Sequence, residues 1–222
     1  MQNGNIPTFD IEESSTGCEF CQRSNLAAYI LKETPAFLIA TDHAPLVEGH
    51  LLIITKQHYT CYGVVPAELD AELFTLKREV QQFLAQYYAS AVFWEHGIFR
   101  QTVYHAHLHC FPFGTVEYDL SQGLHATVVH AQEDIRRWYA SRGQYFFMEN
   151  GQITLLFAPE MEHYWQIIRT IFAQAASRGG YTAPRSPQQR REEGVPLIEA
   201  AIAQWRLFQQ QGASYVDQSD TR

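Results

Sequence analysis

Positive charge is scarce in this chain: 16 lysine and arginine residues stand against 24 aspartate and glutamate in 222 residues, a formal net charge of −8. That balance repels a phosphate backbone unless cations cluster locally, so nucleic acid is a disfavoured partner. Small phosphorylated ligands remain open, because one or two cations or a helix end can hold them inside an acidic protein. No apolar run reaches membrane-spanning length. The opening MQNGNIPTFDIEESSTG has neither a basic n-region nor an apolar h-region, so no membrane anchor or signal peptide is expected and a cytoplasmic location is the default. Internal repeats and low-complexity tracts are missing too, which disfavours a solenoid or propeller. Cysteine is confined to Cys18, Cys21, Cys61 and Cys110. In a cytosolic chain of this size the close pair Cys18-Glu19-Phe20-Cys21 reads as metal-binding or redox-active rather than as a disulfide framework.

What is present points to a globular protein. Hydrophobic residues at 46% and charged residues at 18% exclude a wholly disordered chain, and the length suits one substantial domain or a domain with a large extension. The spacing predicts short strands over Leu26 to Lys32 and Ala36 to Ala40, joined by a Glu-Thr-Pro turn. A strand buried on both faces is expected over the dense run Leu51 to Thr55. From Pro66 onward, apolar Leu69, Leu73, Leu76, Val80, Phe83, Leu84 and Tyr87 recur at helical steps behind an acidic first turn, predicting a long helix. Ala91 to Trp94 and Thr102 to Phe113 read as two further strands. Later, Asn150-Gly151 between the apolar runs Tyr145 to Met148 and Ile153 to Phe157 signals a hairpin. Helices are expected over Glu160 to Ala176 and roughly Glu193 to Gln210. The division expected is a flexible segment 1–17, a domain 18–114, an α+β extension 115–211 packed on it, and a flexible tail 212–222.

The sharpest feature is His105-Ala106-His107-Leu108-His109. On a strand, alternate residues share a face, so three imidazoles would line one side about 6 to 7 Å apart. With ten histidines in the chain, the pattern is expected by chance roughly 0.02 times. Histidine is also not the usual residue of a solvated strand face, where Thr, Lys and Glu serve. Two chemistries fit. The histidines can hold a catalytic metal with a further ligand from elsewhere. Alternatively, a neutral imidazole attacks phosphorus covalently near neutral pH, provided its other nitrogen is held protonated by an acceptor, and a neighbouring histidine serves the leaving group.

These residues resemble the histidine triad (HIT) family of nucleotide hydrolases and transferases. His105 to Phe111, HAHLHCF, matches that family's alternation of histidine and apolar residues at every position. Glu48 to His58, EGHLLIITKQH, is similar to its Gly-His, apolar strand, Pro-Lys-x-His segment, with Thr55 where proline is usual, and Gln101-Thr102-Val103-Tyr104 resembles its Gln-Ser-Val stretch. The resemblance covers approximately 18 to 114. It implies an α+β fold in which a HIT-like antiparallel sheet with a helix is extended by the C-terminal hairpin and two helices. It implies a hydrolase, or nucleotidyltransferase, acting on phosphoric anhydrides or phosphoramidates and releasing a nucleoside monophosphate. His107 would be the nucleophile, and His109 would bond phosphate oxygens or the leaving group. His105 and His50 would complete the catalytic set. Asp42 would bind the ribose hydroxyls, and Gln101 and Thr102 would reach the phosphate. Cys18 and Cys21, with His58 and His105, are similar to the family's zinc-binding branch and imply a structural zinc, with no organic cofactor. A nucleotide or nucleotide conjugate is the implied partner, and a homodimer is open.

The chain departs from the family pattern at Trp94 to Arg100, which is shorter than usual and has Arg100 where glycine is common. Arg100 is a candidate phosphate clamp, and Glu95 or His96 could orient neighbours, set against an ordinary charged loop. His125, His130 and His163 are expected to be non-catalytic. Cys61 and Cys110 read as core or surface thiols. The aromatic residues of the extension, among them Trp138, Tyr145, Tyr164 and Trp165, could form a substrate wall or a dimer interface but read first as core, and Arg136, Arg137, Arg185, Arg190 and Arg191 could approach a polyphosphate tail but read first as solvated charge. The competing functions are a transferase or dinucleoside polyphosphate phosphorylase, a metal hydrolase, and a nucleotide-binding protein that no longer turns over.

Overall fold

The computed structural model describes residues 17–115, 126–151, 153–166, 168–169 and 186–219, with side chains as far as 211. The expected segment 1–17 lies outside these residues except for Gly17, as do His125, Arg185, most of the 170–186 region and the side chains of the tail. Among the described residues, eight strands form one sheet: β1 (Ile30–Glu33), β2 (Phe37–Thr41), β3 (Leu51–Thr55), β4 (Val92–Glu95), β5 (His107–Phe111), β6 (Ala126–Val128), β7 (Phe146–Glu149) and β8 (Thr154–Phe157). Their order is β1-β2-β3-β5-β4-β7-β8-β6, and every pair is antiparallel. The helices are α1 (Arg23–Leu26), α2 (Asp70–Tyr87), α3 (Gln132–Arg142) and α4 (Pro187–Ser219), with a further helical stretch at residues 161–166. The mixed α+β class and the antiparallel sheet agree with the expectation from sequence. Among the described residues, no helix is long and apolar enough to cross a membrane.

Period-two alternation sends β5 to two different cores. Ala106, Leu108 and Cys110 join Phe37, Ile39, Leu51, Ile53 and Phe93 on the face covered by α2, whose Leu73, Leu76, Val80, Phe83 and Leu84 are buried there. Trp205 of α4 and Ile135 of α3 complete this layer. On the opposite face, Cys18, Phe20 and Leu26 cover β2 and β3, packing on Leu38, Ala40, Leu52 and Ile54. Farther along that face, Trp94, Phe111, Phe146, Met148 and Phe157 pack under Tyr164. His107 and His109 lie on this face between the two clusters, because they share parity with Phe111.

Several boundaries differ from the sequence expectation. The strand expected from Thr102 shrinks to His107–Phe111, because residues 101–106 are drawn into loop bonds: Ala106 donates its N–H to the Tyr59 carbonyl at 2.6 Å. Leu26 ends a helical turn rather than starting a strand, since its side chain anchors the N-terminal segment in the core. Helix α4 begins at Pro187, ahead of Glu193, despite the breaker residues Gly194 and Pro196. Strand β6 and helix α3 carry no expectation from sequence. The hairpin is present, with Glu149 opposite Thr154 and the Asn150 side chain accepting from the Ile153 N–H at 3.1 Å. Strands from the 115–211 segment continue the sheet edge to edge through β4 and β7, with Trp94 opposite Met148.

Candidate active site and metal-ligand cluster

Hydrogen bonds around the triad assign each imidazole a tautomer. His107 Nδ1 lies 2.6 Å from the His105 carbonyl, and a carbonyl only accepts, so Nδ1 carries the proton and Nε2 keeps its lone pair. His50 Nδ1 accepts the Leu46 N–H at 3.3 Å, so the proton of His50 sits on Nε2. That N–H faces His109 Nδ1 at 3.0 Å, which leaves His109 with its N–H on Nε2. One ring therefore presents a lone pair and its neighbour presents a donor, with ring centroids 4.9 Å apart.

Electrostatics keep these rings neutral. Burial lowers the His107 pKa, a fall opposed by the His105 carbonyl and the Asp42 charge. His109 lies well below the usual imidazole value through burial and then the neighbouring His107, His50 and His96. Burial pushes His50 down to about 4, with Asp42 pulling the other way. A neutral ring keeps a lone pair for attack on phosphorus.

His50 enters just before β3, and Asp42 follows β2, so both sit on the β3 side of the triad strand. Asp42 turns one oxygen to the Ala44 N–H at 2.7 Å and holds the other 3.7 Å from His50 Nδ1. The expected substrate ligands divide. Gln101 is buried, and its amide is committed to backbone: it accepts from the Ile98 N–H at 2.9 Å and donates to the Thr60 and His105 carbonyls. It therefore supports the carbonyl that orients His107. Thr102 and Arg100 are exposed. His130 is exposed, and His163 pairs with Glu160 at 3.2 Å.

A second cluster lies beside the first. Atoms of Cys18, Cys21, His58 and His105 capable of binding a metal all fall within 4.8 Å of one another. Cys18 Sγ is 3.4 Å from His105 Nδ1, and Cys21 Sγ is 3.3 Å from His58 Nδ1 and 3.5 Å from His105 Nδ1. Tetrahedral zinc with ordinary bond lengths separates sulfur and nitrogen ligands by about 3.6 Å, so donor types and spacing fit that ion. His105 Nε2 donates to the Thr55 carbonyl at 2.7 Å, which frees Nδ1 as the ligand atom. Thr55 Oγ1 lies 3.1 Å from the same nitrogen, a contact a proline could not make. Burial beside Cys18 pushes the Cys21 thiol up to about 11. A cation would be needed to hold Cys21 as a thiolate. Cys61 and Cys110 are fully buried and belong to the core.

Two further residues flank the site, His96, which the sequence offered only as a residue that could orient neighbours, and Tyr164, which it offered as core. His96, just beyond β4, sets its ring 5.6 Å from His109, and Tyr164 sits 5.9 Å from His96. Aromatic spacing in a helix reads as core, and only the path of the chain brings Tyr164 here.

The HIT domain family model matches residues 23–115. The adenosine 5'-monophosphoramidase of Schizosaccharomyces pombe is 27% identical over 118 residues, spanning 52% of this chain and 89% of that protein. A zinc-bound histidine triad family protein from Mycobacterium smegmatis is 24% identical with a TM-score of 0.40, over 57% of this chain and 96% of that one. A HIT family hydrolase from Clostridium thermocellum is 20% identical with a TM-score of 0.39, over 47% and 96% respectively. Residues 23–115, which hold the triad, thus form a histidine triad (HIT) domain.

Proposed function

We propose that the protein hydrolyses nucleotide conjugates at the α-phosphorus through a covalent nucleotidyl-histidine intermediate, with residues 18–114 as the catalytic unit and 115–211 as its extension. The observation that carries this reading is the pair of complementary tautomers, a lone pair on His107 Nε2 beside an N–H on His109 Nε2. His107 Nε2 bonds to phosphorus as the scissile bond breaks. The electron pair stays with the leaving atom, which takes a proton from solvent through the His109 N–H. Water then attacks phosphorus, the N–P bond returns its electrons to His107, and the water's surplus proton goes to solvent. His50 holds His109 in register, and the His105 carbonyl carries the proton side of His107 as it becomes positive. Asp42 is placed to accept from a ribose diol on the β3 side. The relative from Schizosaccharomyces pombe, named for cleavage of a phosphoramidate, supports the reaction class.

Cys18, Cys21, His58 and His105 would hold zinc in a closed set, which makes its contribution structural: it would tie the N-terminal segment to the triad strand. His105 is common to both clusters, so the same residue anchors the knuckle and orients the nucleophile. Elemental analysis should find one zinc per chain, lost in Cys21→Ser with a fall in Tm of about 4 °C or more; a metal-free protein of unchanged Tm would contradict the assignment.

The hydrolase reading is tested by monophosphate release from adenylyl and guanylyl conjugates. The expected result is product from at least one conjugate and a loss of 10³-fold or more, on the order seen for removal of a catalytic nucleophile, in His107→Ala. Undiminished release in that variant would end the nucleophile assignment.

A further inference from the structure

The loop 42–50, which carries Asp42 and His50 between β2 and β3, is closed on itself. The Asp42 N–H donates to the His50 carbonyl and the His50 N–H to the Val47 carbonyl, each at 3.3 Å. Asp42 Oδ1 accepts the Ala44 N–H at 2.7 Å, and His50 Nδ1 accepts the Leu46 N–H at 3.3 Å. Carboxylate and imidazole are therefore carried by one unit, and whatever holds the loop from outside places both.

Helix α4 of the C-terminal extension holds it. Arg190, Gly194, Ile198, Ala201, Trp205 and Phe208 recur at three- and four-residue steps and form one buried to half-buried stripe. The later part of that stripe is docked on α2: the Trp205 and Phe208 rings meet Phe83 at 4.9 and 5.7 Å, and Gln209 donates to Glu79 at 2.7 Å. With that half fixed, the first half reaches the loop. Gly194 lies so close to Pro45 that an added Cβ would meet the ring at 2.6 Å. Half-buried Arg190 donates from Nε to the Ala44 carbonyl at 3.3 Å.

A second hold comes from the middle of the helix. Gln204 accepts from the Tyr88 hydroxyl, and the Tyr88 ring lies where a Gly49 Cβ would come within 2.9 Å. Gly49 has φ 73°, a conformation that glycine adopts at little cost, and it immediately precedes His50. Thus α4 grips the loop beside Asp42 directly and beside His50 through Tyr88.

We propose that Arg190 is a positioning residue for nucleoside recognition: its bond to the Ala44 carbonyl sets the 42–44 turn so that Asp42 faces a ribose 2',3'-diol, which makes ribose selectivity depend on the C-terminal extension. The inference rests on the reading that Asp42 accepts from the diol and adds the element that holds Asp42 in place. A carboxylate separates a diol from its deoxy analogue only while it stays within hydrogen-bond reach of the hydroxyls. Because the Ala44 N–H already fixes Oδ1, rotation of that turn would swing Oδ2 away with it. His107 takes its tautomer from the His105 carbonyl instead, so loss of the Arg190 bond acts on KM more than on kcat.

The test compares the adenosine 5'-phosphoramidate of ethanolamine with its 2',3'-dideoxy counterpart, which shares the scissile bond and leaving group, in wild type, Asp42→Asn, Arg190→Met and Arg190→Gln. Glutamine places an amide N–H where arginine has its Nε–H, whereas methionine fills the same space with no donor. Wild type is expected to favour the diol substrate about tenfold or more in kcat/KM. Arg190→Met should retain about a third or less of that ratio, through KM, and Arg190→Gln should keep it within about twofold. The ratio compares two substrates on one protein, so a lower folded fraction leaves it unmoved. An unchanged ratio in Arg190→Met, or equal loss in both Arg190 variants, overturns the positioning role while a collapsed ratio in Asp42→Asn leaves the ribose reading standing. A wild-type ratio near one, or one that Asp42→Asn does not change, ends the ribose reading and the positioning role with it. If neither conjugate turns over, the hydrolase reading fails separately, and calorimetric titration with adenosine monophosphate and its 2',3'-dideoxy analogue applies the same criteria to Kd.

Discussion

His50 and His96 are both pushed down to about 4, and burial is the first cause in each. Neutral in the fold and free to protonate when unfolded, they stabilise the fold fully above their unfolded value near 6.5 and withdraw that stability as pH falls toward 4. Glu95 runs the other way. Its buried carboxyl accepts from the Tyr62 N–H and the Tyr145 hydroxyl, each at 2.7 Å, yet burial still lifts it to about 7. Its contribution is complete below 4.5 and is lost as pH rises through 7. Denaturant midpoints measured from pH 4 to 8 should therefore rise to about 6.5, and Glu95→Gln should steepen that rise because the opposing group is gone. An unchanged slope in the variant would place Glu95 in water. At this scale the sequence showed the triad because period two puts His107 and His109 on one face. It could not show that a proton on His107 is fixed by the backbone of His105, since any residue there has a carbonyl. Gln101 was expected at the phosphate, whereas its amide holds that same carbonyl.

Elements from the extension reach the site from two directions. Tyr164 closes on His96 from the 161–166 helix, and α4 lies against the loop between β2 and β3, where Arg190 donates to the Ala44 carbonyl at 3.3 Å. Gly194 makes that approach possible: an added Cβ would meet Pro45 Cδ at 2.6 Å. In an unencumbered helix, glycine to alanine stabilises by about 1 kcal/mol. Here overpacking against the ring should outweigh it, so Gly194→Ala is expected to lower stability by about 1 to 2 kcal/mol and to raise KM through the displaced Asp42 loop. A rise in Tm with unchanged KM would show that α4 does not buttress this loop. The long helix α2 was legible from its three- and four-residue apolar steps, and the Asn150-Gly151 hairpin from its turn residues. Helix α4 was legible only from about Glu193, because Pro187 and the polar run Gln188 to Glu192 ahead of it carry no apolar periodicity to mark a buried helix face.

At the scale of the molecule, one continuous sheet joins the triad strand to the C-terminal segment. The β4 edge is occupied by β7 of the same chain, so a second copy cannot add a strand there, and the extension supplies in cis the residues that flank the site on that side. Pairing between distant antiparallel strands leaves no local mark in sequence, which is why the hairpin and helices of the extension were legible but its continuation of the sheet was not, while residues 18–114 could be placed by motif. Its buried Tyr145 links three regions, bonding Glu95 of β4, the Gly63 N–H and the turn at Gly97. All of this geometry converges on the lone pair of His107, and intact-protein mass spectrometry at neutral pH during turnover of an adenylyl conjugate examines it directly. The account predicts a transient mass increase of one adenylyl group, mapped to His107 and missing from His107→Ala; turnover with no adduct, or an adduct on another residue, would contradict it.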